Sequence, residues 1–168
     1  LVDTFIDIAK PTGTVIDFGC GTGRAAKAIA DKTECDVIML DFADNCRDAE
    51  CMHLPFFLWD LTIPLDDKMK APFGYCTDVM EHIPPEDVEK VISNIMNAAD
   101  AVFFQISTVP DQFGKLIGTP LHLSVHPHEW WNEMFTKLGY KIAWEFVRED
   151  SSLFFVKRLD MPVRFVYK

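Results

Sequence analysis

At 168 residues the chain is long enough to bury one core and too short for two ordinary domains plus a linker. Its residues are 49% apolar, yet no apolar run approaches the ~18–20 residues of a membrane span, so a soluble globular domain over residues 1–168 is expected. The net charge of −10 is carried without a basic stripe, which disfavours long polyanions over most of the surface; Lys157, Arg158, Arg164 and Lys168 at the tail read as a solvated terminus.

In chain order, Val2 to Ala9 is apolar at helical spacing and stops at Lys10-Pro11-Thr12-Gly13, a break that delivers a first strand at Thr14–Phe18. Arg24–Ala30 is a helix with Ala26, Ile29 and Ala30 on one face. Asp36–Leu40 reads as a second strand ending in Asp41, Phe56–Trp59 as a short third ending in Asp60, and Tyr75–Val79 as a fourth. Pro84-Pro85 starts a helix that Val88, Val91, Ile92 and Ile95 carry inward, and Ala101–Ile106 is a fifth strand. After a long loop, Pro127–Leu138 is a helix stopped by Gly139, and Lys141–Val147 with Leu153–Val156 form a hairpin around Glu149-Asp150-Ser151. Alternating strand and helix predicts an α/β domain with a mostly parallel sheet covered on both faces, and the terminal hairpin adds an antiparallel edge.

The five cysteines (Cys20, Cys35, Cys46, Cys51, Cys76) are odd in number and lack C-x-x-C spacing, which suits a reducing compartment. No secretory pattern opens the chain, so a cytoplasmic location is expected. Cys46, Cys51 and His53 do not have the spacing of a zinc knuckle and lack an evident fourth ligand.

Between the first strand and helix runs Val15-Ile16-Asp17-Phe18-Gly19-Cys20-Gly21-Thr22-Gly23-Arg24. The dinucleotide fingerprint would need glycine where Arg24 stands. An acid at the mouth of this turn would repel a phosphate but attract a cation. The stretch resembles motif I of the class I S-adenosylmethionine-dependent methyltransferases, and the resemblance extends from about Leu1 to Val156. It implies a Rossmann-like three-layer sandwich with a seven-stranded sheet, S-adenosylmethionine as methyl donor and S-adenosylhomocysteine as product. It further implies that Asp17, Gly19, Cys20, Gly21 and Gly23 receive the methionine and ribose parts, and that Asp41, about 20 residues past the glycines, holds the ribose hydroxyls. Asp60 and Leu61 fall where the family meets the adenine, Phe42 and Trp59 could flank its ring, and Thr77 and Asp78 sit at the mouth of the fourth strand.

Methyl transfer asks the protein to align acceptor and donor, exclude water and take a proton from the acceptor. Candidates are Asp78, Glu81 and His82 after the fourth strand, together with His126. The loop Ser107–Ser124 and the segment after it hold three of the five histidines and are expected to form the acceptor side, where His122 and His126 escape a packing role most easily. Trp130, Trp131, Met134 and Leu138 are expected to pack their helix on the sheet. The acidic surface suits a small neutral or cationic acceptor, and metal-free chemistry is expected. Two alternatives stand beside this. Asp78, Glu81, His82 and His126, followed by Glu129-Trp130, fall where plant-type methyltransferases of small-RNA 2′-hydroxyls hold a divalent metal. The other is a cofactor-binding subunit without activity.

Overall fold

The computed structural model describes residues 1–159; Arg164 and Lys168 of the basic tail lie outside the described residues. The elements are α1 (Val2–Ala9), β1 (Thr14–Phe18), α2 (Arg24–Lys32), β2 (Asp36–Asp41), β3 (Phe56–Leu58), β4 (Ala71–Thr77), α3 (Val88–Ala98), β5 (Ala99–Ser107), α4 (Gly114–Ile117), α5 (His128–Lys137), β6 (Lys141–Val147) and β7 (Ser151–Lys157). The strands join in the order β3-β2-β1-β4-β5-β7-β6. β1 to β5 are parallel, and β7 runs antiparallel to both β5 and β6. This is the seven-stranded, mostly parallel plan with an antiparallel hairpin expected from the sequence.

Alternation along the strands sends residues to two separate cores. Val15, Val37, Met39, Tyr75 and Phe103 pack with Phe5 of α1 and Ala26 and Ile29 of α2 on one face. Ile16, Phe18, Leu40, Phe104 and Phe154 meet α3 and α5 on the other. The i, i+3, i+4, i+7 set Val88, Val91, Ile92 and Ile95 is fully buried, as are Trp131 and Phe135 of α5. At ~1.5–3 kcal/mol for each fully buried aliphatic or aromatic side chain, these two faces hold the sandwich closed.

β4 departs most from the sequence reading. It starts at Ala71 and ends at Thr77, whereas Tyr75–Val79 was expected. Pro72 and Gly74 look like turn signals, but β1 pairs with β4 only from Phe73 onward, so the missing N–H of Pro72 breaks no β1 ladder. At Gly74 a Cβ would stand 2.7 Å from a ring carbon of Phe18, so glycine lets the strand lie against that ring. The strand stops because Asp78 turns to φ 55°, a left-handed conformation rare outside glycine. A short 3₁₀ turn, Met80–His82, follows at once.

Because β1, β2, β4 and β5 are parallel, the residues after their carboxyl ends share one rim. The order reverses between β1 and β4, where open α/β sheets form a crevice. No helix among the described residues is long and apolar enough to cross a membrane.

Candidate functional site

The turn after β1 is built for close approach. Gly19, Gly21 and Gly23 all have positive φ, at 71°, 51° and 80°. A Cβ on Gly19 would stand 2.4 Å from Cγ2 of Val79, whereas one on Gly21 would meet nothing within 4 Å. Gly19 therefore lets the β1 turn and the segment after β4 touch, while Gly21 leaves its backbone bare to the crevice. Gly19→Ala should cost about 2–5 kcal/mol, from left-handed strain plus overpacking. Adding Val79→Ala should recover the steric share in thermal unfolding; equal stability of the single and double variants would show that the contact is unimportant.

Asp41, at the end of β2, is 7% exposed. Its two oxygens accept from the backbone N–H groups of Gly21 (2.8 Å) and Ala43 (3.0 Å). Each oxygen keeps a further lone pair for an outside donor. Next to it Phe42 is 81% exposed, an uncovered ring on the rim. Asp60 is exposed and accepts from Thr62 N–H at 2.8 Å, which holds its carboxyl below the ordinary carboxylate range. The Trp59 indole donates to Ile63 carbonyl at 2.9 Å, so part of the β3 rim is fixed by its own turn.

Asp17, on β1, is buried, and burial pushes its carboxyl up to about 7; the Ala26 N–H pulls the other way and Asp41 adds a smaller push upward. Its Oδ2 has no hydrogen-bond partner among the described residues. Cys20 beside it is pushed up to about 12, chiefly by burial, which makes it a packing group rather than a nucleophile. These features fit S-adenosylmethionine: a bare glycine turn for the chain, a carboxylate pair of lone pairs for the ribose, and a buried acid short of a partner for a cation.

The segment after β4 meets the acceptor-side loop through many bonds. The backbone carbonyl of Glu81 accepts from Leu123 N–H (2.7 Å) and Ser124 N–H (3.0 Å), and Ser124 hydroxyl donates to Ile83 carbonyl at 2.6 Å. Glu81 is fully buried; its Oε1 accepts from Ser107 N–H at 3.1 Å and its Oε2 has no partner among the described residues. Burial raises its carboxyl above the ordinary range. Asp78 is exposed on the rim.

The histidines divide by role. His82 and His122 lie edge to face with ring centroids 4.9 Å apart. Among the described residues, Glu81, His82 and His122 are the group whose ligand-type atoms all lie within 4.8 Å of one another. The set suggested by the sequence, Asp78, Glu81, His82 and His126, is thus not gathered as such: His122 stands where His126 was expected. His126 instead stacks on Trp130 at 3.7 Å and meets Trp131 edge-on, and burial lowers its affinity for a proton. His128 stacks on Phe154 and sits 3.3 Å from Glu145, a packing role. Sequence reasoning missed Ser107 and Asp111; the latter accepts from the N–H groups of Gly114, Leu121 and His122 and ties the loop's two ends.

A recess of ≈ 500 Å³ lies between α2 and Ala49–Cys51, where Arg24 pairs with Asp48 and Lys27 with Asp31.

Comparison with known proteins agrees with this geometry. A family model described as "Methyltransferase domain" matches residues 1–146. Among solved structures, the small RNA methyltransferase HEN1 superposes with TM-score 0.75 at 17% identity, over 95% of this chain and 25% of that one. An O-methyltransferase family protein from Burkholderia thailandensis gives 0.73 at 18% identity, over 94% and 55%. Magnesium protoporphyrin IX methyltransferase from Synechocystis PCC 6803, with bound S-adenosylhomocysteine, gives 0.70 at 23%, over 94% and 81%. At these identities the likeness is one of fold, and the chain spans a quarter and about half of the first two proteins' lengths. No curated protein matches the sequence.

Proposed function

The chain belongs to the methyltransferase-domain family, and from that premise we propose that it is an S-adenosylmethionine-dependent methyltransferase and that it methylates a small-molecule acceptor taken up beneath the loop between β5 and α5. The observation that carries this is the loop itself. It follows β5 at the crevice rim, is tied to Glu81–Ile83, and presents Phe113, Leu116 and Ile117 at 71%, 82% and 64% exposure, an apolar rim on an acidic protein. Such a rim suits an apolar body with a neutral or cationic head.

In the reaction, a lone pair on the acceptor attacks the methyl carbon in line. The carbon–sulfur bond breaks, its electron pair returns to sulfur, and S-adenosylhomocysteine leaves as a neutral thioether. The acceptor's proton passes to a nearby base. Asp17 faces the cofactor's cationic end; Gly19, Cys20, Gly21 and Gly23 admit its chain; Asp41 holds the ribose; Phe42, Asp60 and Leu61 border the adenine; Thr77 and Asp78 close the mouth. Asp78, Glu81, His82 and His126 serve the acceptor, and we assign the base to His126, whose ring is held flat against Trp130 and whose burial disfavours the protonated form.

Incubating the chain with methyl-labelled S-adenosylmethionine and a cell extract, then separating small molecules from RNA, tests the reading. Label should enter the small-molecule fraction. Label in RNA would replace it by the 2′-hydroxyl reading, and no transfer to any fraction would leave a cofactor-binding subunit.

Asp17 gives the cofactor step a pH signature. Its folded value lies above that of an unfolded carboxylate, so in the free protein it favours folding at low pH, and that contribution is lost as pH rises through about 7. A bound cation favours the ionised form. Affinity for S-adenosylmethionine should therefore increase with pH up to about 7 and then level off, as calorimetry across that range would read. Asp17→Asn should bind more weakly and without that slope; an equal slope in both proteins would place Asp17 away from the cofactor's charge.

A further inference from the structure

We propose that Gln105 of β5 holds the α-amino-acid head of S-adenosylmethionine, its carboxamide oxygen accepting from the ammonium and its N–H groups donating to the carboxylate. The inference rests on the cofactor reading of the crevice and adds to it a residue two strands away from the glycine turn.

Strand register places the residue. Asp17 of β1 lies beside Tyr75 of β4, Tyr75 lies beside Phe103 of β5, and one step nearer the carboxyl rim Thr77 lies beside Gln105. Residues two apart in a strand share a face, so Asp17, Thr77 and Gln105 stand with Tyr75 and Phe103 on the side covered by α1 and α2. The backbone N–H of Asp78, the first residue past β4, donates to the Gln105 carbonyl at 3.1 Å, which fixes Gln105 directly under the mouth of the crevice. Its neighbour on β7 is Leu153, so an apolar side chain would continue the core at this position. A carboxamide interrupts that core at the end of the strand that meets the crevice.

Two buried oxygens on this face lack a donor. Gln105 is 6% exposed and Asp17 is 2% exposed, and neither Oε1 of the first nor Oδ2 of the second has a hydrogen-bond partner among the described residues. A buried acceptor left unpaired is costly, so whatever satisfies the two must bring N–H or O–H groups. The carboxylates of Asp41 and Asp78 act on Asp17 and Tyr75, which makes this stretch of the rim a negative field. An ammonium is attracted there, whereas the carboxylate joined to it through one carbon is repelled unless neutral donors hold it. Gln105 meets both demands. A carboxamide carries an acceptor oxygen and N–H donors side by side, and an α-amino-acid head carries N–H donors and acceptor oxygens side by side, so the two close one ring of hydrogen bonds. Asp17 then takes a second N–H of the same ammonium, and the Thr77 hydroxyl, partly exposed next to Gln105, offers the carboxylate a further donor.

Calorimetry on the full chain with S-adenosylhomocysteine and with 5′-methylthioadenosine tests this, since the second ligand keeps the adenosine and the thioether and lacks the amino-acid head. The unaltered chain should bind S-adenosylhomocysteine more tightly. Gln105→Leu should weaken S-adenosylhomocysteine binding at least about tenfold, as the loss of one hydrogen bond to a charged group does, and change the affinity for 5′-methylthioadenosine less than about twofold. Gln105→Glu keeps the shape and the acceptor oxygen but sets a like charge against the ligand carboxylate. It should show the same pattern with an equal or larger loss. Losses shared equally by the two ligands assign Gln105 to packing and overturn the proposal, and so does unchanged S-adenosylhomocysteine affinity in both variants, which would leave Oε1 to a water molecule. In either case, tighter binding of S-adenosylhomocysteine than of 5′-methylthioadenosine by the unaltered chain preserves the cofactor reading. Binding of neither ligand by that chain overturns both.

Discussion

Asp41→Ala should weaken S-adenosylmethionine binding by about a hundredfold. The carboxylate lies at the end of β2, and each oxygen already accepts one backbone N–H, from Gly21 and from Ala43. Those bonds fix the plane of the group and leave one lone-pair direction per oxygen for two adjacent ribose hydroxyls. Hydrogen bonds to a charged group contribute about 1.5–3 kcal/mol each, so losing two removes about 3 kcal/mol at the low end. At about 1.4 kcal/mol per tenfold this is two powers of ten. The variant also leaves Gly21 N–H without its acceptor and loosens the bare turn, which pushes the effect upward. Asp41→Asn, with one acceptor oxygen and no charge, should fall between. Calorimetry that finds unchanged affinity in Asp41→Ala removes the residue from the site, and NAD bound in preference to S-adenosylmethionine would sink the cofactor reading of this crevice.

Most of this crevice is legible in the sequence because local rules place it. Strand-turn-helix with glycines two apart admits few backbone paths, and α1, β1 and β6 begin and end where periodicity and turn residues predict. Asp41 falls at a strand end, where parallel topology alone puts it on the rim. The acceptor side is less legible, for a physical reason. β4 carries Pro72, which lies before the β1 pairing begins, and Gly74, whose turn character is overridden by the close approach of Phe18 and Val102 that only the folded sheet supplies. The loop after β5 is held by side chain to backbone bonds, Asp111 to three N–H groups and His122 to Val109. Such bonds leave no periodic trace. Spacing therefore marked both His122 and His126 as loose ends, and the resemblance put His126 beside Glu81, where the structure brings His122. The Pro127 cap that starts α5 pulls His126 toward Trp130, while Asp111 turns His122 toward His82.

Separating turnover from cofactor binding should distinguish the residues of that second side. His126→Ala should lower kcat by about 10²–10³, within the range of general acid–base effects, while the dissociation constant for S-adenosylmethionine changes less than about twofold. The ring is stacked on Trp130 with centroids 3.7 Å apart and an interplanar angle of 13°, so it is rigid. Alanine removes the stack and the base together, which is why His126→Phe is the decisive partner. Phenylalanine keeps a flat ring against Trp130 and cannot accept a proton. Equal loss of kcat in both variants assigns the effect to proton transfer. Recovery in His126→Phe makes His126 a positioning residue that holds Trp130, and parallel loss of cofactor affinity moves it to the other side of the crevice. Glu81→Gln should also spare cofactor affinity, since amide oxygen can still accept from Ser107 N–H. Its loss of turnover should follow the loop: a raised KM for the acceptor rather than a lowered kcat, because Glu81 holds the loop through its own carbonyl and carboxylate, whereas the proton is assigned to His126.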